Sequence, residues 1–205
     1  MEIDIEKGEI RSNKVLNDLD KFMIKFANIL EKHTSNVIVS GYVSILLGRS
    51  RASEDIDLLI PKMEFSKFLV LFNDLISKGY ECANTSNPKE AFDMFHEHTI
   101  RFYKKIPIPN IEFKLITNSI QKTAFENRIK VTLGNKVLFI SPLELQIAYK
   151  LSLISPGDFE EISSDKDFED AKHLYELFKD KLNKDKLLYY VKLLKMEDKF
   201  RWLQK

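Results

Sequence analysis

Two aspartates separated by one apolar residue and followed by an apolar run, Asp55-Ile-Asp57-Leu-Leu-Ile60, constrain this chain more than any other feature. The run ends at Pro61 and reads as a strand that enters the interior. Side chains alternate along a strand, so Asp55 and Asp57 share one face while Ile56 and Leu58 share the other. Two carboxylates held that close repel each other unless a cation lies between them. Hard oxygen donors at that spacing suit Mg2+ or Mn2+, ions that also bind phosphate oxygens. An acidic pair of this kind also occurs in ordinary turns, so the surrounding residues decide its meaning.

Those surroundings alternate between helix and strand signals. Val15, Leu16, Leu19, Phe22, Met23, Phe26, Ile29 and Leu30 recur at helical spacing, which predicts a helix within residues 13–33. A β-branched run at 36–40 predicts a strand. Ser40-Gly41 then leads into a short helix over 42–48. A helix over 64–78 closes at Gly79, and Asn87-Pro88 has the form of an N-cap followed by proline at the first helical position. Residues 99–103 and 111–116 read as strands around a turn at Pro107-Ile-Pro109. Gly134-Asn135 marks a hairpin between 130–133 and 136–140. From Ser141-Pro142 onward the pattern is helical, over 142–153, 164–178, 184–194 and a last turn to Trp202. The expected class is α+β, a mixed sheet flanked by helices over residues 1–140, followed by a helical C-terminal domain over 141–205.

Within 37–60, a glycine turn, a short helix and Asp-x-Asp on the next strand together resemble the signature of the nucleotidyltransferase (polymerase-beta-like) superfamily. Arg51-Ala-Ser53-Glu-Asp55-Ile-Asp57 is similar to the Arg-x-Ser-x-Asp-x-Asp form of its minimal and toxin–antitoxin-associated branch, which includes the type IV abortive-infection toxins. The resemblance implies the superfamily's fold and transfer of NMP from an NTP to a hydroxyl, with release of pyrophosphate. It implies a third carboxylate on a neighbouring strand. Glu112 in Asn110-Ile-Glu112-Phe-Lys-Leu-Ile116 is the candidate, and a solvated strand residue paired with Lys114 or Lys104 is its plainer alternative. Asp55, Asp57 and Glu112 would then hold two ions of Mg2+ or Mn2+.

Ser40, Gly41, Arg49, Arg51 and Ser53 are candidates for the triphosphate, glycine because backbone amides can approach phosphate there and arginine because its fork matches phosphate. In the helical half, Pro142 to Leu151 resembles the family's Pro-x-x-Leu-x-x-x-Lys-Leu helix, which carries over Lys150 as a triphosphate-binding cation. Lys166-Asp167-Phe-Glu-Asp170 is similar to its Lys-Asp-x-x-Asp stretch. Asp167 and Asp170, three apart on one helical face, would orient Lys150 or the nucleotide. Acids that cap a helix after Ser163 and Ser164 are the alternative. One departure stands out: the family has Gly-Gly or Gly-Ser at the turn, whereas Tyr42 follows Gly41 here. A tyrosine that crowds the triphosphate favours a second reading, a catalytically inactive nucleotide-binding or partner-binding module of the same fold.

A net charge of +1 creates no field that demands nucleic acid. The resemblance implies a tRNA end or a protein side chain as the acceptor, with small molecules such as aminoglycosides as the alternative. The segment 179–205 has nine lysines and arginines against four acidic residues, with Tyr189, Tyr190, Phe200 and Trp202 among them. It suits RNA, or equally an amphipathic helix with its rings in the core. The resemblance also implies a cognate toxin or antitoxin partner. One cysteine, Cys82, an acidic start and no long apolar run predict a cytoplasmic chain with no membrane span.

Overall fold

The computed structural model describes residues 2–4 and 8–204. Its strands are β1 (Glu2–Asp4), β2 (Glu9–Ser12), β3 (Val37–Val39), β4 (Asp55–Ile60), β5 (Glu81–Cys82), β6 (Ile100–Lys104), β7 (Ile106–Leu115), β8 (Ile129–Leu133) and β9 (Lys136–Ile140). The helices before β9 are α1 (Asp18–Leu30), α2 (Gly41–Leu46), α3 (Phe65–Ser77), α4 (Pro88–Glu97) and α5 (Ser119–Glu126). After it come α6 (Leu143–Leu153), α7 (Phe159–Ser163), α8 (Lys166–Phe178), α9 (Lys184–Leu193) and α10 (Glu197–Leu203). All strands join one mixed sheet in the order β1-β2-β8-β9-β3-β4-β7-β6-β5, parallel at β2–β8, β9–β3 and β4–β7.

Strand alternation divides the sheet into two unlike faces. Ile56, Leu58 and Ile60 of β4 and Ile111 and Phe113 of β7 point into the main core. There Phe26 of α1, Phe68 and Phe72 of α3, Phe95 of α4 and Phe102 of β6 meet Phe113 or one another with ring centroids 5.1–6.2 Å apart. Each such ring, fully buried, contributes on the order of 1.5–3 kcal/mol. The opposite face has a small apolar cluster, Val37, Leu59, Ala124 and Leu145, roofed by α5 and α6. Asp57 and Asp55 continue the Leu59 side of β4, so this face turns from apolar to acidic along one strand.

Local chemistry accounts for most boundaries. Asn17 and Asp20 form a reciprocal capping box at α1, which therefore starts at Asp18 rather than at residue 13. Asn87 caps α4, with Pro88 at its first position. The cap of α8 is Asp165, which accepts from Asp167 N, and not Ser163 or Ser164; those serines close α7. The expected turn at Pro107-Ile-Pro109 is absent. The chain turns instead at Lys105, with φ 69°, and both prolines lie inside β7. Residues 106–109 precede the first β4 partner, the Asp55–Asn110 pair, so this stretch is an edge on that side and tolerates the missing N–H groups. Every described element after β9 is helical, and buried residues from Ile10 to Leu203 form one continuous cluster.

Candidate active site

Parallel pairing of β4 with β7 sets Asp55 opposite Asn110, Asp57 opposite Glu112 and Leu59 opposite Lys114. Antiparallel pairing of β7 with β6 extends the middle rung to Arg101. The structure thus brings Asp57 and Glu112 together across neighbouring strands, with Asp55 one rung away. It does not make them the expected three-carboxylate cage. Lys114 Nζ contacts Asp57 and lies 2.9 Å from Glu112 Oε2, while Arg101 Nε donates to Glu112 Oε1 at 2.8 Å. Asp55 turns to Asn110, whose Nδ2 donates to it at 2.6 Å. Among the described residues no group of three or more His, Cys, Asp and Glu converges as a metal cluster.

Burial and charge then act in opposite directions on this pair. Burial pushes the Asp57 carboxyl above the ordinary aspartate range; Lys114 pulls against the rise and Glu112 adds to it. Burial also raises Glu112, but Lys114 and Arg101 together outweigh it and hold that carboxyl below its usual value. Lys114 is lowered by burial and raised more strongly by its two carboxylate neighbours, so it remains an ammonium.

The turn from β3 to α2 lies beside these rungs, because Val39 pairs with Asp57. Ser40 follows with φ 64° and ψ −142°, a conformation glycine adopts readily and other residues rarely. Gln146 of α6 clamps it: Nε2 donates to Ser40 O at 2.8 Å, and Ser40 N donates back to Oε1 at 3.3 Å. Ser40, Asp57, Lys114, Gln121, Gln146 and Tyr149 line part of a cavity of about 210 Å³. Tyr42 points away from it. Its side chain is fully buried and its hydroxyl donates to Asp20 Oδ1 at 2.9 Å, so the expected crowding of a triphosphate does not arise. Tyr42→Phe is expected to cost about 1.5–3 kcal/mol in urea denaturation, the worth of a hydrogen bond to a buried charge.

Gly41 has a steric reason to be glycine. A Cβ there would lie 2.1 Å from Arg51 Nη2. Arg51 Nε and Nη2 in turn donate to Asp170 Oδ1 and Oδ2 at 3.0 and 2.9 Å, a bidentate pair. Gly41→Ala is therefore expected to expel Arg51 from Asp170 and lose about 1.5–3 kcal/mol. Arg51→Ala made in that background should add little more, and the urea-derived double-mutant cycle reads this directly.

Asp170, wholly buried, is the hub of a wider ion network. Arg49 contacts both Asp170 and Glu169 and donates to Lys166 O at 2.9 Å. Lys150 Nζ lies 2.8 Å from Asp170 and contacts Asp167. Burial raises the Asp170 carboxyl, but Arg51, Lys150 and Arg49 overcome that and hold it below the usual aspartate range. Three cations and three carboxylates close on themselves here. The Lys150 side chain, 2% exposed, faces carboxylates rather than an open anion site. Lys166 joins only through its carbonyl, its side chain being exposed. Ser53 caps its own turn by donating to Asp55 O at 2.9 Å.

Asn110, Arg101 and Gln146 carry no signal of their own in the sequence, and Lys114 enters it only as a partner of Glu112; strand alternation places Asn110, Arg101 and Lys114 on the acidic face. Of the C-terminal rings, Phe200 is buried, Tyr190 and Trp202 pack on the core, and only Tyr189 is largely exposed at 61%. No described helix is long and apolar enough to cross a membrane.

No protein-family model matches the chain, and no curated protein matches it. Among solved structures it is similar to an antigenic nucleotidyltransferase-like protein from Paracoccidioides brasiliensis, with a TM-score of 0.53 and 16% identity over 90% of each chain. At that identity the likeness is one of fold, and the mixed sheet flanked by helices is nucleotidyltransferase-like.

Proposed function

We propose that this chain is a metal-dependent nucleotidyltransferase that moves an NMP group from an NTP to a hydroxyl acceptor. The observation that carries the reading is the register of β4 and β7, which aligns Asp55, Asp57 and Glu112 on one sheet face beside the Ser40–Gly41 turn. The acceptor oxygen forms a bond to the α-phosphorus as the bond to the bridging oxygen breaks, and pyrophosphate leaves with that electron pair. The acceptor's proton passes to the Asp57–Glu112 pair. Asp55 and Asp57 would hold a divalent ion, Mg2+ or Mn2+, which would supply positive charge to phosphate oxygens. Arg51, lying over Gly41, is pinned by Asp170, and Arg49 and Lys150 hold the same aspartate, so this network would fix the loop beside the turn that takes the triphosphate.

By the resemblance of Arg51-Ala-Ser53-Glu-Asp55-Ile-Asp57, the acceptor is a tRNA end or a protein side chain, within a cytoplasmic toxin–antitoxin or defence system. A second reading, an inactive nucleotide-binding or partner-binding module, is favoured by Lys114 between Asp57 and Glu112. Incubation with each labelled NTP, Mg2+ or Mn2+, and total tRNA or bulk protein separates them. Label in the acceptor that is lost in Asp55→Ala/Asp57→Ala supports the transferase. Binding of NTP without pyrophosphate release supports the module.

A further inference from the structure

We propose that the site takes a single divalent ion, on the oxygens of Asp55, Asp57 and Asn110, and that the Lys114 ammonium is its second, covalently fixed cation. The inference rests on the transferase reading and departs from the two-ion scheme that the resemblance implies. Its first ground is the Asp55–Asn110 rung. Asn110 is 8% exposed, and its Nδ2 donates to Asp55. Its Oδ1 is buried with no hydrogen-bond partner among the described residues. Buried acceptors of this kind are uncommon because they call for a donor or a cation. The orphan oxygen belongs to the amide that touches Asp55, and Asp57 lies two residues on along the same face. Two carboxylates and an amide oxygen are hard donors of the kind Mg2+ and Mn2+ accept, and such ions commonly use one or two protein carboxylates and complete their shell with water and phosphate.

The second ground is the Asp57–Glu112 rung, where a cation is already built in. Lys114 contacts Asp57 and reaches Glu112 at 2.9 Å, and Arg101 takes the other oxygen of Glu112. An ion between Asp57 and Glu112 would press against the Lys114 ammonium and compete for the same oxygens. Charge agrees. Three carboxylates face two fixed cations, which leaves one negative charge. One divalent ion turns that into a single positive charge, whereas two would leave three positive charges in a half-buried cleft.

Titration of metal-free protein with Mn2+, free ion being read by electron paramagnetic resonance, tests this without reference to turnover. The wild-type chain is expected to bind one ion and Lys114→Met two. Asn110→Ala should weaken the single site at least tenfold, and Asn110→Asp should tighten it. Circular dichroism melts establish that each variant is folded, and Lys114→Gln replaces Lys114→Met if the latter is not. Two ions or none in the wild-type chain, one ion still in the Lys114 variant, or unchanged affinity in Asn110→Ala would overturn the inference. A chain that binds one ion in this way yet releases no pyrophosphate leaves it standing and overturns the transferase reading instead.

Discussion

Asp170→Ala is expected to destabilise the chain by about 3–5 kcal/mol, the cost of removing one partner from a buried ion pair. Three cations depend on this carboxylate. Arg51 holds it with two hydrogen bonds, Lys150 approaches to 2.8 Å and Arg49 contacts it as well. Lys150 has nowhere else to go, because its side chain is 2% exposed and only Asp167 remains. Total stability of a domain is about 5–15 kcal/mol, so the variant stands near the edge of folding. Urea denaturation measures the loss. Lys150→Met in the Asp170→Ala background should recover part of it, because the stranded ammonium is then gone. A loss below about 1 kcal/mol would show that the network is solvent-relaxed and not the bolt between the α2–β4 loop and α6 and α8.

The same aspartate sets a pH dependence of known sign. Its carboxyl titrates below the ordinary value of 3.8 in the folded chain. A group depressed in this way contributes stability that is complete above the unfolded value and is lost as pH falls through the folded one. The wild-type chain should therefore lose stability below about pH 4, and Asp170→Asn should lose less over the same interval, since it has no proton to gain. Urea midpoints at pH 3, 4 and 7 make the comparison.

What could be inferred from residues alone follows from the range of the interaction. Asp55 and Asp57 on one face need only the two-residue period of a strand, and the Asn87–Pro88 cap needs only local chemistry. Placing Glu112 required a parallel crossover of 55 residues, and the sequence could only nominate it; the Asp57–Glu112 register is a property of the folded sheet. The role of Lys114 lay hidden for the same reason. It was legible as an alternative partner of Glu112, but its reach to Asp57 comes from the adjacent strand. Tyr42 misled because its neighbour in sequence is the glycine turn, whereas its hydroxyl partner, Asp20, lies on α1. Asp170 and Arg51 are 119 residues apart, and no helical pattern reveals that pairing. The strands β1, β2 and β5, two to four residues each, carry too short a pattern to stand out, and the helices α5 and α7, of eight and five residues, are too short for a helical period to show.

Asp57→Asn is expected to do the reverse of Asp170→Ala: abolish activity and spare the fold. On the transferase reading proposed above, removal of the Asp57 charge should lower pyrophosphate release by about 10³-fold or more. Stability at pH 7 should change by less than about 1 kcal/mol, because the burial penalty on the Asp57 carboxylate disappears along with its attraction to Lys114 and the two oppose each other. Lys114 keeps Glu112 at 2.9 Å, so no ammonium is stranded. The sign with pH is opposite to that of Asp170. Burial raises the Asp57 carboxyl in the folded chain, so its ionisation costs stability as pH rises from 3.8 through the folded value. Asparagine carries no such cost, and the variant should gain on the wild-type chain between pH 4 and pH 7 in urea midpoints. A large loss of stability at pH 7 would make Asp57 an anchor for Lys114 rather than a catalytic carboxylate. A carboxylate kept where folding would favour a neutral group is the energetic mark of a residue retained for chemistry.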